Sequence, residues 1–303
     1  MRSLTLRQLR ALRAVADTGA VSAAARELNV TPPAISMQVK LFEDMAGLPL
    51  LERIGERFVP TPAGAEALRA CRAIEATIED LSATFESLRA GVGGQVCVGI
   101  VSTAKYFATR MIGAFAREHP GVRVSLVVGN RDHVIRALAE FRIDLAIMGR
   151  PPAGQECASD LIGEHPHVVV ADPAHRLAGA SRIDPRFLSA ETFVVREPGS
   201  GTRALMETFF ERAGVKPTYG LEIDSNETIK QAVMAGLGIA FISAHTVTAE
   251  LADGRLVKLD VAGLPLVRHW YVLRRLDRRQ LPASRALQQF IVAHRAEFLP
   301  AAP

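Results

Sequence analysis

Residues 23–44 read AAARELNVTPPAISMQVKLFED, and the character of the N-terminal region follows from them. Upstream, Leu6, Leu9, Leu12 and Ala16 recur at helical spacing and Gly19 follows as a helix stop. Ser22 is placed to cap a short second helix whose alanine face lets a neighbouring helix approach closely. A turn at Asn29 leads to Thr31 as N-cap of a third helix, where Pro32 and Pro33 cost little because first-turn N–H groups have no intrahelical acceptor. In that helix Ile35, Val39 and Phe42 form one buried stripe, which turns Ser36, Met37 and Lys40 outward. Three short helices in this order suit a helix-turn-helix whose third helix lies in the major groove. Downstream, residues 50–64 (LLERIGERFVPTPAG) place a glycine turn between two short runs, a hairpin wing carrying Arg53 and Arg57 toward flanking phosphates or the minor groove.

From Leu6 to Gly64 these two motifs closely resemble the DNA-binding domain of the LysR family of transcriptional regulators. By position, the resemblance implies that Thr31, Pro33, Ser36, Met37 and Lys40 face the groove, with Arg53 and Arg57 on the wing. Pro32 and Met37 depart from the family's pattern, standing where Gln and a polar or basic residue are usual, so direct base reading at those two points is not implied. The bland alternative is a helical domain with a solvated basic face.

Beyond Pro62 the apolar residues Ala67, Cys71, Ile74, Ile78, Leu81, Phe85 and Leu88 alternate steps of four and three, a heptad seam flanked by charged residues. The seam predicts a long helix that pairs with its copy through Ile74, Ile78, Leu81, Phe85 and Leu88, and with it a two-fold DNA site. An amphipathic helix packed on its own domain would show a similar pattern. Gly91, Gly93 and Gly94 end the helix. Cys71, on the seam, reads as a small buried apolar residue rather than a redox switch.

The remaining residues alternate strands and helices. Residues 95–100, 122–128 and 144–147 read as strands, separated by helical stretches. A second set follows from His167 to Ser243, and RHWYVLRR with a helix over 284–298 adds a last unit. Two α/β units in series predict two lobes with a cleft between them. Ligands of open α/β sheets sit beyond the carboxyl ends of strands, where helix N-termini present free N–H groups. Ser102 and Thr103 after the first strand, and Arg196, Ser200, Gly201 and Thr202 in the glycine-rich REPGSGTR loop, are placed to meet across such a cleft. Asn130 and Arg150, after the second and third strands, would complete a pocket suited to a carboxylate or phosphate. The run VSTAKYFATRMIGAFAREHPGVRVSLVVGNRDHVIRALAEFRIDLAIMGRPP, residues 101–152, resembles the LysR branch that controls genes for ribulose bisphosphate carboxylase, the Calvin-cycle operon regulators. In LysR proteins, and in the periplasmic binding proteins that share this architecture, the last unit returns to the first lobe. The resemblance implies a response to phosphorylated or nucleotide metabolites, with NADPH and phosphorylated sugars as effector candidates, and no bound cofactor.

The expected architecture is therefore an all-α winged helix-turn-helix over 1–61, a linker helix over 62–91, and an α/β two-lobed domain like the periplasmic binding proteins. Lobe I is assigned to 92–160 with 268–303 and lobe II to 161–267. Bulk properties agree: 49% hydrophobic and 22% charged residues describe a chain with a core to bury, and the net charge of +4 fits a polyanion partner without demanding one. The N-terminus mixes charges into its apolar positions and no run approaches the roughly 20 apolar residues needed to cross a bilayer, which predicts a cytoplasmic protein without membrane contact. Cys71, Cys97 and Cys157 lie too far apart in sequence for a zinc motif or a disulfide framework. His165 and His167 alternate on one strand face and read as partly exposed structural residues rather than metal ligands. No nucleophile, base or metal set points to an enzyme. A two-lobed solute-binding protein, the other contender, would lack residues 1–89. The basic run Arg274, Arg275, Arg278 and Arg279 reads as a solvated face or a dimer-of-dimers contact. The implied partners are double-stranded promoter DNA, further copies of the chain up to a tetramer, and RNA polymerase.

Overall fold

A computed structural model describes residues 4–90 and 93–300, with the backbone alone for 83, 84 and 86–90. The chain divides into two compact units, Met1–Ser82 and Ala83–Pro303.

In the first unit, helix α1 (Leu6–Thr18) opens with a capping box, Thr5 and Gln8 each bonding the other's backbone, and closes on Gly19 at φ 75°. Helix α2 (Val21–Glu27) starts two residues earlier than the sequence suggests: Ala20 is its N-cap, so Ser22 lies inside the helix and caps nothing. Asn29, at φ 53°, makes the turn. Helix α3 (Pro32–Ala46) has Thr31 at its N-cap position, although the hydroxyl makes no capping bond. Leu9, Leu12, Val15, Ala24, Ala25, Ile35, Val39 and Phe42 bury together as the core of the three helices. Strands β1 (Leu51–Ile54) and β2 (Arg57–Pro60) form an antiparallel hairpin. The Glu43 carboxylate accepts from the N–H groups of Leu50 (2.8 Å) and Leu51 (3.2 Å), which ties the hairpin to α3.

Helix α4 (Pro62–Ala90) begins in this unit. Its first seam positions are corrected by the packing: Cys71 is wholly buried in the three-helix core with Leu68, and Ala67 packs beside it. Burial raises the Cys71 thiol to about 11, so it stays protonated and inert. Farther along, Ile74, Leu81 and Phe85 are 38%, 52% and 56% exposed, and Ile78 is partly so, an apolar stripe left uncovered by its own chain. The side chain of Leu88, and Gly91, lie outside the described residues.

In the second unit, β3 (Gly94–Val101), α5 (Lys105–Glu118), β4 (Val122–Gly129), α6 (Arg131–Ala139) and β5 (Leu145–Met148) alternate, with β3 parallel to both other strands. Then comes the long β6 (Cys157–Ala171). Next follow β7 (Thr192–Arg196), α7 (Gly201–Arg212), β8 (Thr218–Ile223), α8 (Asn226–Met234), β9 (Ala240–Ser243), α9 (Thr248–Ala252) and β10 (Val257–Leu259). The long β11 (Leu266–Arg275), α10 (Pro282–Ala293) and α11 (Arg295–Phe298) complete the chain; the last helix breaks at His294 rather than running from 284 to 298. Two groups of core residues, one around Ile100, Phe107, Phe115 and Leu287, the other around Phe193, Phe210, Ile239 and Phe241, define two lobes. Their sheets are not separate, as two units in series would have them. Residues 157–167 of β6 pair antiparallel with β11, which also pairs with β5 of lobe I, while 167–171 pair with β9 and β10 of lobe II. The order β10-β6-β11-β5-β3-β4 is thus continuous through two strands that belong to both lobes.

Where these strands cross, His165 and His167 are buried, 5% and 2% exposed, not partly exposed as the sequence reading has them. His165 stacks on Trp270 at 3.7 Å between ring centres, and Trp270 Nε1 donates to His245 Nδ1 (3.2 Å). The basic C-terminal run is likewise anchored rather than simply solvated: Arg275 pairs with Asp277 and lies over the Phe141 ring, and Arg278 pairs with Asp144 at 3.3 Å.

Two consequences for stability follow. A Cβ at Gly64 would sit 1.8 Å from the Leu50 carbonyl oxygen, which the Glu43 anchor holds in place; Gly64→Ala should destabilise the N-terminal unit by about 1–3 kcal/mol, read as a lower melting temperature, and an unchanged melt contradicts that packing. Burial pulls His165 well below the ordinary histidine range and His167 and His245 to about 4. The unfolded chain then binds more protons than the folded one between about 4 and the ordinary value near 6.5, so the stability these groups protect is complete above pH 6.5 and is lost as pH falls toward 4. Thermal melts should drop between pH 7.5 and 5.5, less so in His167→Gln, and a pH-independent melt contradicts neutral burial.

Candidate functional site

On the first unit, α3 and the hairpin present the candidate nucleic-acid surface. Thr31, Pro33, Ser36, Met37 and Lys40 are all exposed, Met37 by 62%, because the buried stripe of α3 occupies the opposite side. Arg53 is exposed on β1 and its Nε donates to the Gly55 carbonyl (3.0 Å), which holds it beside the hairpin turn. Arg57 is exposed on the hairpin too, at the start of β2, and its guanidinium lies over the α1–α2 turn, where a Cβ on Gly19 would meet its Nε at 2.6 Å.

On the second unit, a cavity of about 280 Å³ opens between the lobes. All eight residues singled out in sequence, Ser102, Thr103, Asn130, Arg150, Arg196, Ser200, Gly201 and Thr202, line it. They gather at the carboxyl ends of four strands: Ser102 and Thr103 follow β3, Asn130 follows β4, Arg150 lies just beyond β5, Arg196 ends β7, and Ser200, Gly201 and Thr202 lead into α7 after it. Ser200 is the N-cap of α7 and makes no side-chain capping bond, so the positive end of that helix faces the cavity. The N–H groups before α5 are less free than the sequence implies: Ser102 donates to the Gly129 carbonyl (2.8 Å) and Ala104 to that of Val101 (2.7 Å). Asn130 caps α6, its Oδ1 accepting from the His133 N–H at 2.9 Å.

Sequence reasoning missed five polar residues of the lining: Arg131, His165, His167, Thr208 and Arg268. Arg131 directly follows Asn130 and was legible as the next residue; Arg268 reaches the cavity only because β11 places it opposite His165 on β6. The cavity is thus lined by Arg131, Arg150, Arg196 and Arg268, and among the described residues no carboxylate lines it. Arg196, 4% exposed, is already compensated: it forms an ion pair with Glu197 (2.7 Å) and donates to Asn226 Oδ1 (2.8 Å) and, across the lobes, to Ser102 Oγ (3.1 Å). Arg131 donates to the carbonyls of Arg150 (2.7 Å) and Pro151 (3.3 Å) and so braces the loop that carries Arg150; burial, then the Arg150 charge, pulls its pKa down. Among the described residues no ion pair joins Arg131, Arg150 or Arg268 to an acid. Their crowded positive charge is a standing demand for an anion.

The lobes also touch beside the cavity. The Tyr106 hydroxyl of α5 donates to Glu227 of α8, which also pairs with Lys230 at 2.9 Å, and the Asp132 N–H reaches the Gly199 carbonyl at 3.3 Å. Gly199, at φ 83°, allows that approach: a Cβ there would meet the Asp132 carboxylate at 2.8 Å.

Comparison with known proteins places both units. Residues 6–65 match the bacterial regulatory helix-turn-helix of the lysR family, and residues 89–296 match the LysR substrate binding domain. The HTH-type transcriptional regulator CbbR of Xanthobacter flavus is 48% identical over 301 residues, covering 99% of this chain and 90% of that protein. The RuBisCO operon transcriptional regulator of Allochromatium vinosum is 41% identical, covering 97% of each. Among solved structures, the CcmR regulatory domain of Synechocystis PCC6803, in complex with 2-PG, superposes with a TM-score of 0.64 at 35% identity, over 66% of this chain and 96% of that one. The chain belongs to the LysR family of transcriptional regulators.

Proposed function

We propose that this LysR-family protein regulates carbon-fixation genes, the RuBisCO operon among them, in response to a small phosphorylated anion held between the lobes. The observation that carries the reading is the cavity itself: three arginines without an acid partner, the N-terminus of α7 and the hydroxyls of Thr103 and Thr202 surround a space of about 280 Å³. That volume suits a few-carbon phosphate ester better than a dinucleotide, so 2-phosphoglycolate, the 2-PG bound by the Synechocystis domain, is favoured over NADPH. The relatives' regulation of RuBisCO genes supplies the pathway.

Thr31, Pro33, Ser36, Met37 and Lys40 would face base edges and phosphates of the major groove, with Arg53 on the flanking backbone. The uncovered stripe Ile74, Ile78, Leu81 and Phe85 of α4, continued in sequence by Leu88, pairs two copies, so paired recognition helices read two half-sites. Anion binding biases closure of the lobes, and the altered subunit packing changes the bend imposed on DNA and thereby the contact with RNA polymerase. This reading has no catalytic step.

A nuclease footprint upstream of the protein's own gene, with and without 2-phosphoglycolate, NADPH and phosphorylated sugars, tests the reading: it should shorten or lose its bend-induced cleavage with one of them, and indifference to all contradicts it. Lys40→Ala or Arg53→Ala should weaken DNA binding and lower the log–log salt slope by about 1; an unchanged slope removes those residues from the contact surface. Thr103→Leu or Thr202→Leu should leave DNA affinity intact and abolish the effector response, and a normal response moves the pocket elsewhere.

A further inference from the structure

Among the described residues, one fully buried side-chain atom of the cavity lining is left without a hydrogen-bond partner. His165 Nδ1 is buried and makes no hydrogen bond among the described residues. Its neighbours decide which tautomer it holds. On the far side of the ring, Nε2 lies 3.0 Å from Oγ of Ser243, a fully buried residue. A buried hydroxyl must place its proton on an acceptor, and no other acceptor for Ser243 is found among the described residues. Ser243 therefore donates to Nε2, and the imidazole proton sits on Nδ1. The other two imidazoles of the cluster spend their nitrogens internally: His167 Nδ1 donates to the His165 carbonyl (3.1 Å), and His245 Nδ1 accepts from Trp270. His165 Nδ1–H alone is left, an uncompensated buried donor of the kind that costs stability unless a function requires it.

Its placement points to a ligand. The ring lines the cavity, and Nδ1 faces Gly149, another lining residue, where a Cβ would stand 3.2 Å away. Arg268, the cross-strand partner of His165 on β11, lines the same wall, and Arg150 follows Gly149 directly. The ionisable groups around His165 are His167 on its own strand, His245 after β9, Arg268 on β11 and Arg150 after β5; none is acidic.

We propose that His165 is a specificity-determining residue of the cavity: its neutral Nδ1–H donates to an acidic oxygen of a small dianionic ligand, while Arg268 and Arg150 carry the charge. This rests on the reading of the cavity as an anion-effector site. A fixed neutral donor rewards an acceptor oxygen and rejects an ammonium or apolar group at that spot; the atom is buried in this structure, and Gly149 beside it adds no side chain to a ligand's path.

Titration calorimetry of the full-length protein with 2-phosphoglycolate tests the assignment, with the melting temperature of each variant recorded alongside. An Asn side chain can present its amide N–H near the position of Nδ1, whereas Gln places its amide near Nε2. His165→Asn should stay within about threefold of the parent, and His165→Gln should lose about tenfold or more. Gly149→Ala, whose methyl would cover Nδ1, should lose affinity similarly and decides the case if His165→Gln fails to fold. Folded His165→Gln binding like the parent, Asn and Gln losing equally, or Gly149→Ala binding normally overturns the role of His165 while leaving the anion site standing. Failure of the parent to bind 2-phosphoglycolate overturns the cavity reading and this assignment with it.

Discussion

The ladder between β6 and β11 is the constraint on which the second unit depends. Both strands run through two lobes, so one antiparallel pairing sets the position of each lobe's sheet and the width of the space between them. At the crossing, the pairing puts His165 opposite Arg268 and His167 opposite Leu266, with Trp270 packed on the His165 ring. A shift of one residue in register would turn all of these side chains to the other face. The apolar rings there exclude water, which keeps the histidines neutral and leaves the cavity's positive charge to the arginines.

That division of labour gives the cavity its chemistry. Arg196 is spent inside the protein, paired with Glu197 and reaching Ser102 across the lobes, so it reports lobe closure more than it offers charge to a ligand. Arg131 is spent on carbonyls and holds Arg150 in place. Arg150 and Arg268 remain, with the α7 N-terminus opposite. Unpaired cations gathered in one space repel one another, and an anion bound among them relieves that cost. The contacts Ser102–Arg196 and Tyr106–Glu227 join the lobes beside the cavity, so under the proposed function an anion drawn in among the arginines would act on closure. Closure is the two-state element such regulation requires.

Much of this was legible in the sequence where the determinant is local. The stripe Ile35, Val39 and Phe42 orients α3, and the carboxyl ends of strands with the segments just beyond them carry all eight cavity residues that the sequence pointed to. What escaped is nonlocal. Arg268 and His165 meet through strand pairing between distant segments, and nothing near either residue announces it. Periodicity likewise reports that a face is buried but not by what: Cys71 continues the heptad pattern of α4, yet it fills the core of its own helix-turn-helix. Ser22 misled because a good capping residue is not a cap when the chain turns two residues earlier, at Ala20. Arg196 lines the cavity, as its place in the glycine-rich loop suggested, but its partner Asn226 could be found only in three dimensions.

Whether unpaired guanidinium charge makes this cavity an anion site coupled to DNA binding can be decided by comparing 2-phosphoglycolate with glycolate. Affinities of both for the full-length protein, bound to its operator and free, would be measured from low to high salt. The phosphorylated ligand should bind much more tightly, its advantage should shrink as salt rises, and its affinity should differ between the DNA-bound and free protein, as reciprocal coupling requires. Equal affinities for the two ligands, or an affinity for 2-phosphoglycolate that neither salt nor DNA changes, would contradict it.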